Sequence, residues 1–553
     1  MTSLLFDTDK VGKVVSDLVL LLVASVIFFF WFRSKLRQKN SISPIPGLEM
    51  VPGGHWLFGH IKHLTGPLKV GDTDYFDHLF VDYANEQGIS CAYYFEPVLS
   101  VLSAKHARTI LRQTSMRKSV KMVNRHVRQT LGQQSLVFQS GGTDWKRQRG
   151  HVQYALTANA IAEYNSIIHE CANAMVTALT NLCKVESNGL IEVDVVHVAQ
   201  CFTLETFGKI ALGHDFHCFS STGVLRSREA EAFAFLVNDI PKRSNPRAIL
   251  NPMLQMYSLP TTYNRRYWEE RGIVESLLSS VIQRSKDEFT ASSKRGSSES
   301  SNCTGGSSKK IRDNLLTHII RTSTDDSVES LTDMMKTILF AGYETTAITI
   351  TFVLYNLTKY PEFQKHCCEE ARRILQKDNN VTISDLRYTR AVIMESMRLN
   401  PTVIWTSRNS AKAIDLDGVI IPKGFRIVIP LTKLLVDDRN FERAKEFIPT
   451  RWVRWSTEKN EWIERDHRHE STDHGEVVSA ADPANFLAFS DGARDCVGKR
   501  LAMNESTVAL ASLMKHFKVS YDESKPVEMK RRLTSWFPHE LDIKFHLRDD
   551  NAE

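Results

Sequence analysis

The chain has 553 residues, of which 42% are hydrophobic, so it can bury a large core as one big domain or as two to three ordinary ones. Its 70 basic and 64 acidic residues give a formal net charge of +6. Without a clustered basic and aromatic stripe, this excess argues against nucleic-acid binding and fits a solvated surface, an anionic membrane or an acidic partner. The nine cysteines form no CxxC pair and no regular framework, which argues against a zinc ribbon or a secreted disulfide scaffold.

An uncharged run from Leu18 to Phe32 lies near the N-terminus and ends in two aromatic residues, as is typical at a membrane interface. Extended back to Val11, it approaches the roughly 20 residues that a bilayer requires. Basic residues follow at positions 33, 35, 37 and 39, so the positive-inside rule places the rest of the chain in the cytoplasm. We predict a membrane anchor with a basic flank over residues 1–40; a cleaved secretory peptide is the alternative.

A segment rich in proline and glycine over residues 41–60 predicts a stiff hinge, with an ordinary linker as the alternative. The chain then reads as mainly helical, with strand-like pieces around residues 89–102 and 417–431.

Two polar segments interrupt this pattern. A low-complexity stretch at about 286–310 has no apolar face, so we predict a disordered insertion there. A second polar insertion at about 457–482 carries three histidines, His467, His469 and His474, and leaves metal binding open beside simple hydration.

The segment FSDGARDCVG, residues 489–498, surrounds one cysteine with glycines and precedes an amphipathic helix. A cysteine binds iron as a thiolate, and backbone amides, a helix N-terminus or a nearby cation can stabilise that anion. Gly492 and Gly498 allow tight turns that bring amides close, Arg494 supplies a cation, and Phe489 can cover the sulfur. This pattern favours Cys496 as a metal ligand over a buried structural cysteine.

The loop resembles the haem-thiolate loop of the cytochromes P450. The resemblance covers the chain from Pro44 to about Leu547 and implies the α+β fold of that family, with one large, mainly helical domain and small β-sheets over residues 61–547. It also implies that Cys496 is the axial thiolate ligand of haem b.

A second motif, LFAGYETTAIT at residues 339–349, lies in an apolar helical run. Gly342 lowers helix propensity, and Glu344 and Thr345 are unfavourable to bury. By resemblance this is the helix over the distal haem face, opened near Ala341 and Gly342, with Thr345 and Glu344 relaying protons. A threonine bonded to its own helix beside an exposed glutamate is the alternative reading.

A third motif places Glu395 and Arg398 on one helical face, and Arg451 follows in FIPTRW. By resemblance these three side chains form a buried structural network, which must be complete to be tolerated. The resemblance also assigns Arg408 to a haem propionate, because a guanidinium matches a carboxylate.

In the fourth motif, DWKRQR, Trp145 and Arg149 share one helix face, and the resemblance assigns them to a second propionate. Lys146 and Arg147 lie beside them. These two are candidates for contact with an acidic electron donor, or are simply solvated.

The resemblance implies a monooxygenase in the endoplasmic reticulum membrane, single-pass, with its catalytic domain cytoplasmic. Electrons would come from NADPH through a flavoprotein reductase, with cytochrome b5 as a further donor, and O2 would supply one oxygen atom to a fatty acid, sterol or terpenoid. The chain departs from the family in carrying Glu344 where many relatives have aspartate. Pocket positions by resemblance are Phe340, Ala341, Thr402, Val403, Ile404, Trp405 and the stretch Val120–Gln134. The alternatives are a reductase-independent haem-thiolate isomerase or dehydratase acting on a hydroperoxide, and a non-catalytic membrane haem sensor.

Overall fold

The computed structural model describes most of the chain between residues 45 and 548. The described residues are 25, 27–28, 31, 45–46, 48, 50–51, 83–93, 97–113, 117–118, 125–132, 136–137, 139–220, 223–224, 227–244, 257–296, 314–323, 327–375, 384–466, 479–525, 527, 529–531, 536–538 and 540–548.

The helices, numbered along the described residues, are α1 (Ala104–Arg112), α2 (Arg125–Leu131), α3 (Thr143–Ala155), α4 (Ala158–Val185), α5 (Val195–Leu212), α6 (Arg228–Ser244), α7 (Thr262–Gly296), α8 (Leu315–Thr322), α9 (Val328–Lys359), α10 (Pro361–Leu375), α11 (Arg387–Leu399), α12 (Leu431–Leu434) and α13 (Lys499–His516). Short 3₁₀ turns occupy Pro449–Arg451, Pro483–Asn485 and Gly492–Arg494.

The strands are β1 (Ile89–Tyr93), β2 (Pro97–Val101), β3 (Arg117–Lys118), β4 (Leu190–Asp194), β5 (Phe219–Ser220), β6 (Gly223–Val224), β7 (Thr406–Asn409), β8 (Ile414–Leu416), β9 (Val419–Ile421), β10 (Arg426–Ile429), β11 (Val453–Ser456), β12 (Glu461–Glu464), β13 (Phe517–Ser520), β14 (Met529–Arg531), β15 (Trp536–Pro538) and β16 (Asp542–Leu547). Helices with small sheets are the expected architecture.

The chain divides into two compact units, the first comprising Met1–Leu102 with Ser410–Val428 and the second Ser103–Asn409 with Ile429–Glu553. In the first unit, β1 and β2 pair antiparallel, residues 426–428 of β10 join β2 in parallel, and β8 and β9 form a hairpin. Cys91, Leu99 and Ile427 are fully buried. The strands predicted around residues 89–102 and 417–431 are therefore confirmed.

The second unit is organised around α9, which packs against α5, α7, α11 and α13. The Ser327 hydroxyl accepts a hydrogen bond from the amide of Ser330 and caps the start of α9. The helix is apolar on most sides and buried along most of its length. It ends at Lys359, two residues before Pro361, because the residue preceding a proline disfavours helical geometry.

The second unit also contains a three-stranded antiparallel sheet in the order β13–β16–β4, which begins directly after α13. Phe517 and Phe545 pack edge to face within it, and both are fully buried. The sheet therefore closes the C-terminal end of α13, the helix that follows the cysteine loop.

Both predicted insertions are partly ordered. Residues 286–296 belong to α7, so the prediction of disorder is wrong for this part of the first insertion. The Thr290 hydroxyl donates to the carbonyl of Lys286 at 2.8 Å within that helix. Residues 457–466 form the turn and second strand of the antiparallel hairpin of β11 and β12, in which Trp455 and Trp462 pack edge to face across the strands at 5.4 Å. Residues 297–310, and the three histidines of the second insertion, lie outside the described residues.

Most of the predicted anchor and hinge also lies outside the described residues, so those predictions stand untested. Within the described part of the chain, one helix is long and apolar enough to cross a membrane. It is α9, whose apolar window is 83% buried inside the protein, as expected of a core helix.

Candidate haem-thiolate site

The cysteine loop is held by its own backbone. The amide of Cys496 donates to the carbonyl of Phe489 at 2.9 Å, and the amide of Asp495 donates to the carbonyl of Gly492 at 3.1 Å. Gly492 has φ +74°, and a Cβ there would lie 2.3 Å from the Leu111 carbonyl oxygen of α1. A glycine is therefore required at this position for both conformation and space.

The thiol of Cys496 is solvent-accessible, whereas the other cysteines in the described part of the chain are buried. Burial of the sulfur within surrounding protein nevertheless raises its pKa, against the lowering effects of the Gly498 amide, Arg149 and Lys499. Gly498 precedes α13, so its amide sits at the positive end of that helix.

Two arginines beside the loop carry positive charge that the described residues do not neutralise. Arg408, on β7, is 2% exposed; its Nη2 has no hydrogen-bond partner, and burial lowers its pKa to about 10. Burial and the neighbouring Arg408 and Arg149 lower the pKa of Arg494 to about 10. The guanidinium of Arg494 lies 3.6 Å from the ring centroid of Trp145 and donates to the Gln139 carbonyl.

This donor set fits haem. A buried guanidinium with an unused N–H, next to a second guanidinium without a carboxylate, suits anionic groups such as propionates. The accessible thiol of Cys496 would supply an axial ligand. Haem is therefore the group that the exposed sulfur and the uncompensated arginines would hold together.

The structure gives Arg149 a different immediate partner from the one predicted. Its guanidinium donates to the carbonyl of Asp495 at 3.0 Å and to the carboxylate of the same residue at 2.5 Å. Lys499 also pairs with that carboxylate at 3.0 Å. Arg149 thus clamps the residue next to Cys496, and its assignment to a propionate remains a prediction. Sequence reasoning missed Asp495, because nothing in the motif spacing marks this residue.

The expected opening in the helix above the site is absent, since α9 is continuous through Ala341 and Gly342. The hydroxyl of Thr345 donates to the carbonyl of Ala341 at 2.7 Å. Ala341 is exposed and Thr345 partly exposed, although most of α9 is buried. We refer to these two residues as the accessible strip of α9. Glu344 is only 2% exposed, which contradicts the alternative of an exposed glutamate.

Glu395, Arg398 and Arg451 are brought together in one fully buried network. The Glu395 carboxylate accepts from Nε of Arg398 at 3.0 Å, from Nη2 of Arg398 at 2.8 Å and from Nε of Arg451 at 2.9 Å. The amide of Ile448 and the indole of Trp452 each add a donor at 2.9 Å. The remaining guanidinium groups donate to backbone carbonyls of residues 435–446, so the network joins α11 to the segment before the cysteine loop.

The positions assigned to a substrate pocket differ in accessibility. Phe340, Thr402 and Ile404 are buried, whereas Val403 and Trp405 are partly exposed. Of the stretch 120–134, residues 125–132 are described and form α2 and its end. The hydroxyl of Thr337 on α9 donates to the Leu131 carbonyl, which fixes α2 against the helix that carries Thr345.

The comparison with protein families decides the identity. A model of the cytochrome P450 family matches residues 50–545. The chain belongs to the cytochrome P450 family. Its cofactor is accordingly haem with an axial thiolate, and its fold is the α+β fold of that family.

Curated relatives of this cytochrome P450 agree. It is 34% identical to cytochrome P450 CYP12A2 of Musca domestica over 220 residues, and 33% identical to probable cytochrome P450 12c1, mitochondrial, of Drosophila melanogaster over 222 residues. Each alignment covers 39% of this chain and 39% of the relative. Human cytochrome P450 4Z1 is 24% identical over 523 residues, 93% of this chain and 94% of that one. These relatives support a monooxygenase-type oxidoreductase.

Proposed function

We propose that this cytochrome P450 inserts one oxygen atom of O2 into a hydrophobic substrate such as a fatty acid, sterol or terpenoid. Two electrons would come from NADPH through a flavoprotein reductase, with cytochrome b5 as a further donor. The observation that carries the proposal is the accessible thiol of Cys496 beside Arg408 and Arg494, whose charges lack carboxylate partners among the described residues.

When bound, haem supplies the activation of O2. The protein's part is to hold the sulfur, position the substrate and control protons. Cys496 would be the ligand, with Phe489, Arg494 and Gly498 shaping its loop. Arg408 would fix a propionate.

Thr345 and Glu344 are proposed as the proton path. The Thr345 hydroxyl lies on the accessible strip of α9 and donates its hydrogen bond to the Ala341 carbonyl. Rotation about χ1 would redirect this hydroxyl to an acceptor beside the helix. Glu344 is the adjacent acid and is buried within the same helix. Such a path distinguishes a monooxygenase from a hydroperoxide isomerase or dehydratase, which takes no electrons from NADPH and needs no net proton delivery.

The first experiment is a carbon monoxide difference spectrum of the reduced protein and of Cys496→Ser. A thiolate-shifted Soret band in the native protein, absent from Cys496→Ser, supports the assignment; an unshifted band in the native protein defeats it. Lipophilic compounds that change the iron spin state are then tested for turnover with NADPH and reductase. Turnover with a hydroperoxide alone would instead favour the isomerase or dehydratase, and haem binding without any turnover would favour a sensor.

We further propose that the exposed Lys146 and Arg147 on α3 contact the electron donor. We also propose that residues 1–40 anchor the chain in the endoplasmic reticulum membrane, with the catalytic domain in the cytoplasm. Protease protection of the full chain in microsomes tests the topology. Fractionation with mitochondria would contradict this topology. Recovery of a mature protein that has lost residues 1–40 by cleavage and is free of the membrane would also contradict it. Charge reversal at Lys146 should raise the KM for reductase without changing the CO spectrum.

A further inference from the structure

The glycine of the α9 motif faces a neighbouring helix. A Cβ on Gly342 would lie 2.6 Å from Cε2 and Cζ and 2.7 Å from Cδ2 of the Phe207 ring on α5. Phe207 is only 5% exposed, so its ring has little room to turn away. The missing side chain of Gly342 is thus a notch in α9 that the Phe207 ring fills.

Helix α5 cannot easily move away from α9. On α5, the next residue is Gly208, and a Cβ there would lie 2.6 Å from two ring atoms of Phe216 and 3.1 Å from the His214 carbonyl oxygen. Phe216 is 3% exposed and packs edge to face on His214 at 4.8 Å. The Phe216 ring therefore packs against α5 at Gly208, while the Phe207 ring of α5 fills the notch in α9. Neither contact leaves room for an added methyl group on the glycine.

The accessible strip of α9 lies close to Gly342 around the helix. Ala341 and Thr345 lie one residue before and three after Gly342, within about 100° of it, and both reach solvent, whereas α9 also packs against α5, α7, α11 and α13. A bulkier residue at position 342 would push α9 away from the Phe207 ring and carry the accessible strip with it. The Thr345 hydroxyl would move with it.

We propose that Phe207 is a positioning residue for the distal side of the site: by filling the notch at Gly342, its ring sets how far the strip of Ala341 and Thr345 projects over the haem. The inference rests on the proposed function, because it takes the strip to face the haem. It assigns the glycine of this motif to helix packing, and it gives α5, which carries none of the predicted site residues, a part in the geometry of the site.

The test uses imidazole as a ligand of the ferric iron, because its affinity reports the space above the haem independently of turnover. Gly342→Ala should weaken imidazole binding by about tenfold, which is about 1.4 kcal/mol, while the CO spectrum keeps its thiolate band. Gly342→Ala with Phe207→Leu should restore the affinity to within about threefold of the native value, because leucine lacks two of the three ring atoms that the new methyl group meets.

Gly272→Ala is the matched control, since Gly272 lies within α7 and a Cβ there meets nothing within 4 Å. It should leave imidazole binding unchanged. If Gly342→Ala yields no haem protein, the single variant Phe207→Leu tests the role of Phe207 instead. The smaller side chain leaves space at Gly342, so α9 can relax toward α5. Imidazole binding should then tighten by about threefold.

The outcomes distinguish a failure of the proposed function from a failure of the proposed role of Phe207. A native protein without a thiolate CO band defeats the proposed function. A native protein with that band, whose Gly342→Ala variant binds imidazole as tightly as the native protein, defeats the role of Phe207. Weakened binding that Phe207→Leu fails to restore also overturns it, because the loss would then not arise from the contact between these two residues.

Discussion

Replacing Glu395 by glutamine removes the buried carboxylate that pairs directly with two buried arginines. The Glu395 carboxylate accepts five hydrogen bonds from Arg398, Arg451, Ile448 and Trp452, and its side chain is fully buried. In Glu395→Gln one oxygen becomes an NH2 group that points a donor at other donors. The two guanidinium groups keep their positive charges in the interior without their paired carboxylate.

The magnitude follows from this geometry. Breaking a buried ion pair by removing one partner costs about 3–5 kcal/mol, because the remaining charge stays desolvated. Burial already lowers the pKa of Arg451 from its ordinary value, and Glu395 opposes that effect, so losing the carboxylate lowers this pKa further. Folded proteins have about 5–15 kcal/mol of stability, so this loss is a large part of the total.

The assay is urea unfolding of the holoprotein followed by far-UV circular dichroism and by the Soret band. The control is Glu464→Gln on β12, which makes the same chemical change in an ion pair with Arg390 where the Glu464 side chain is 66% exposed. We expect a loss of about 3–5 kcal/mol for Glu395→Gln and of about 0–1 kcal/mol for Glu464→Gln. Equal losses in the two variants would refute the reasoning from burial.

Three further predictions concern the loop, the arginines and a buried acid. Gly492→Ala should abolish the thiolate CO band, because a Cβ would lie 2.3 Å from the Leu111 carbonyl oxygen; a normal spectrum would contradict the glycine requirement. Arg408→Gln should increase the rate of haem transfer to apomyoglobin by about tenfold or more, and an unchanged rate would remove Arg408 from the haem site. Glu505 is 1% exposed, and burial raises its pKa well above 4.5, so native stability falls as pH rises from 4.5 toward that raised pKa. Glu505→Gln should therefore stabilise the protein more at pH 8 than at pH 5, and equal urea midpoint shifts at the two pH values would contradict this.

Local features were predictable from the sequence. Glycine spacing marked the tight loop around Cys496, apolar periodicity marked α13, and strand-like apolar runs marked β1 and β2. Glu395 and Arg398 are three residues apart on one helix, so their pairing required no knowledge of the fold.

Contacts between distant segments were not predictable from the sequence alone. Arg149 meets Asp495 across 346 residues of chain, and periodicity gives the face of a helix without naming its neighbour. The same limit concealed Phe207 as the partner of Gly342.

Composition also misjudged the first polar segment and left the contacts of the second unpredicted. Residues 286–296 lack an apolar stripe, yet they extend α7, where local bonds such as that from Gln283 to Asp287 at 2.9 Å support the helix. In the second segment, Trp462 of β12 lies 4.5 Å from the ring of Tyr388 on α11, a contact that polar composition does not predict.

The buried arginines show why the site required a structure. Arg398, Arg408 and Arg451 are all nearly inaccessible, and nothing about an arginine in the sequence states what balances its charge. Arg398 and Arg451 share the Glu395 carboxylate, so their charge is matched within the fold. Arg408 donates to the Thr406 hydroxyl and the Ser407 carbonyl, retains one N–H without a partner, and has no carboxylate beside it in the described part of the chain. Because a buried, unmatched cation is unfavourable, a cofactor that carries its own carboxylates would stabilise this position. The stability that the free protein loses at Arg408 would then be regained as affinity for that cofactor.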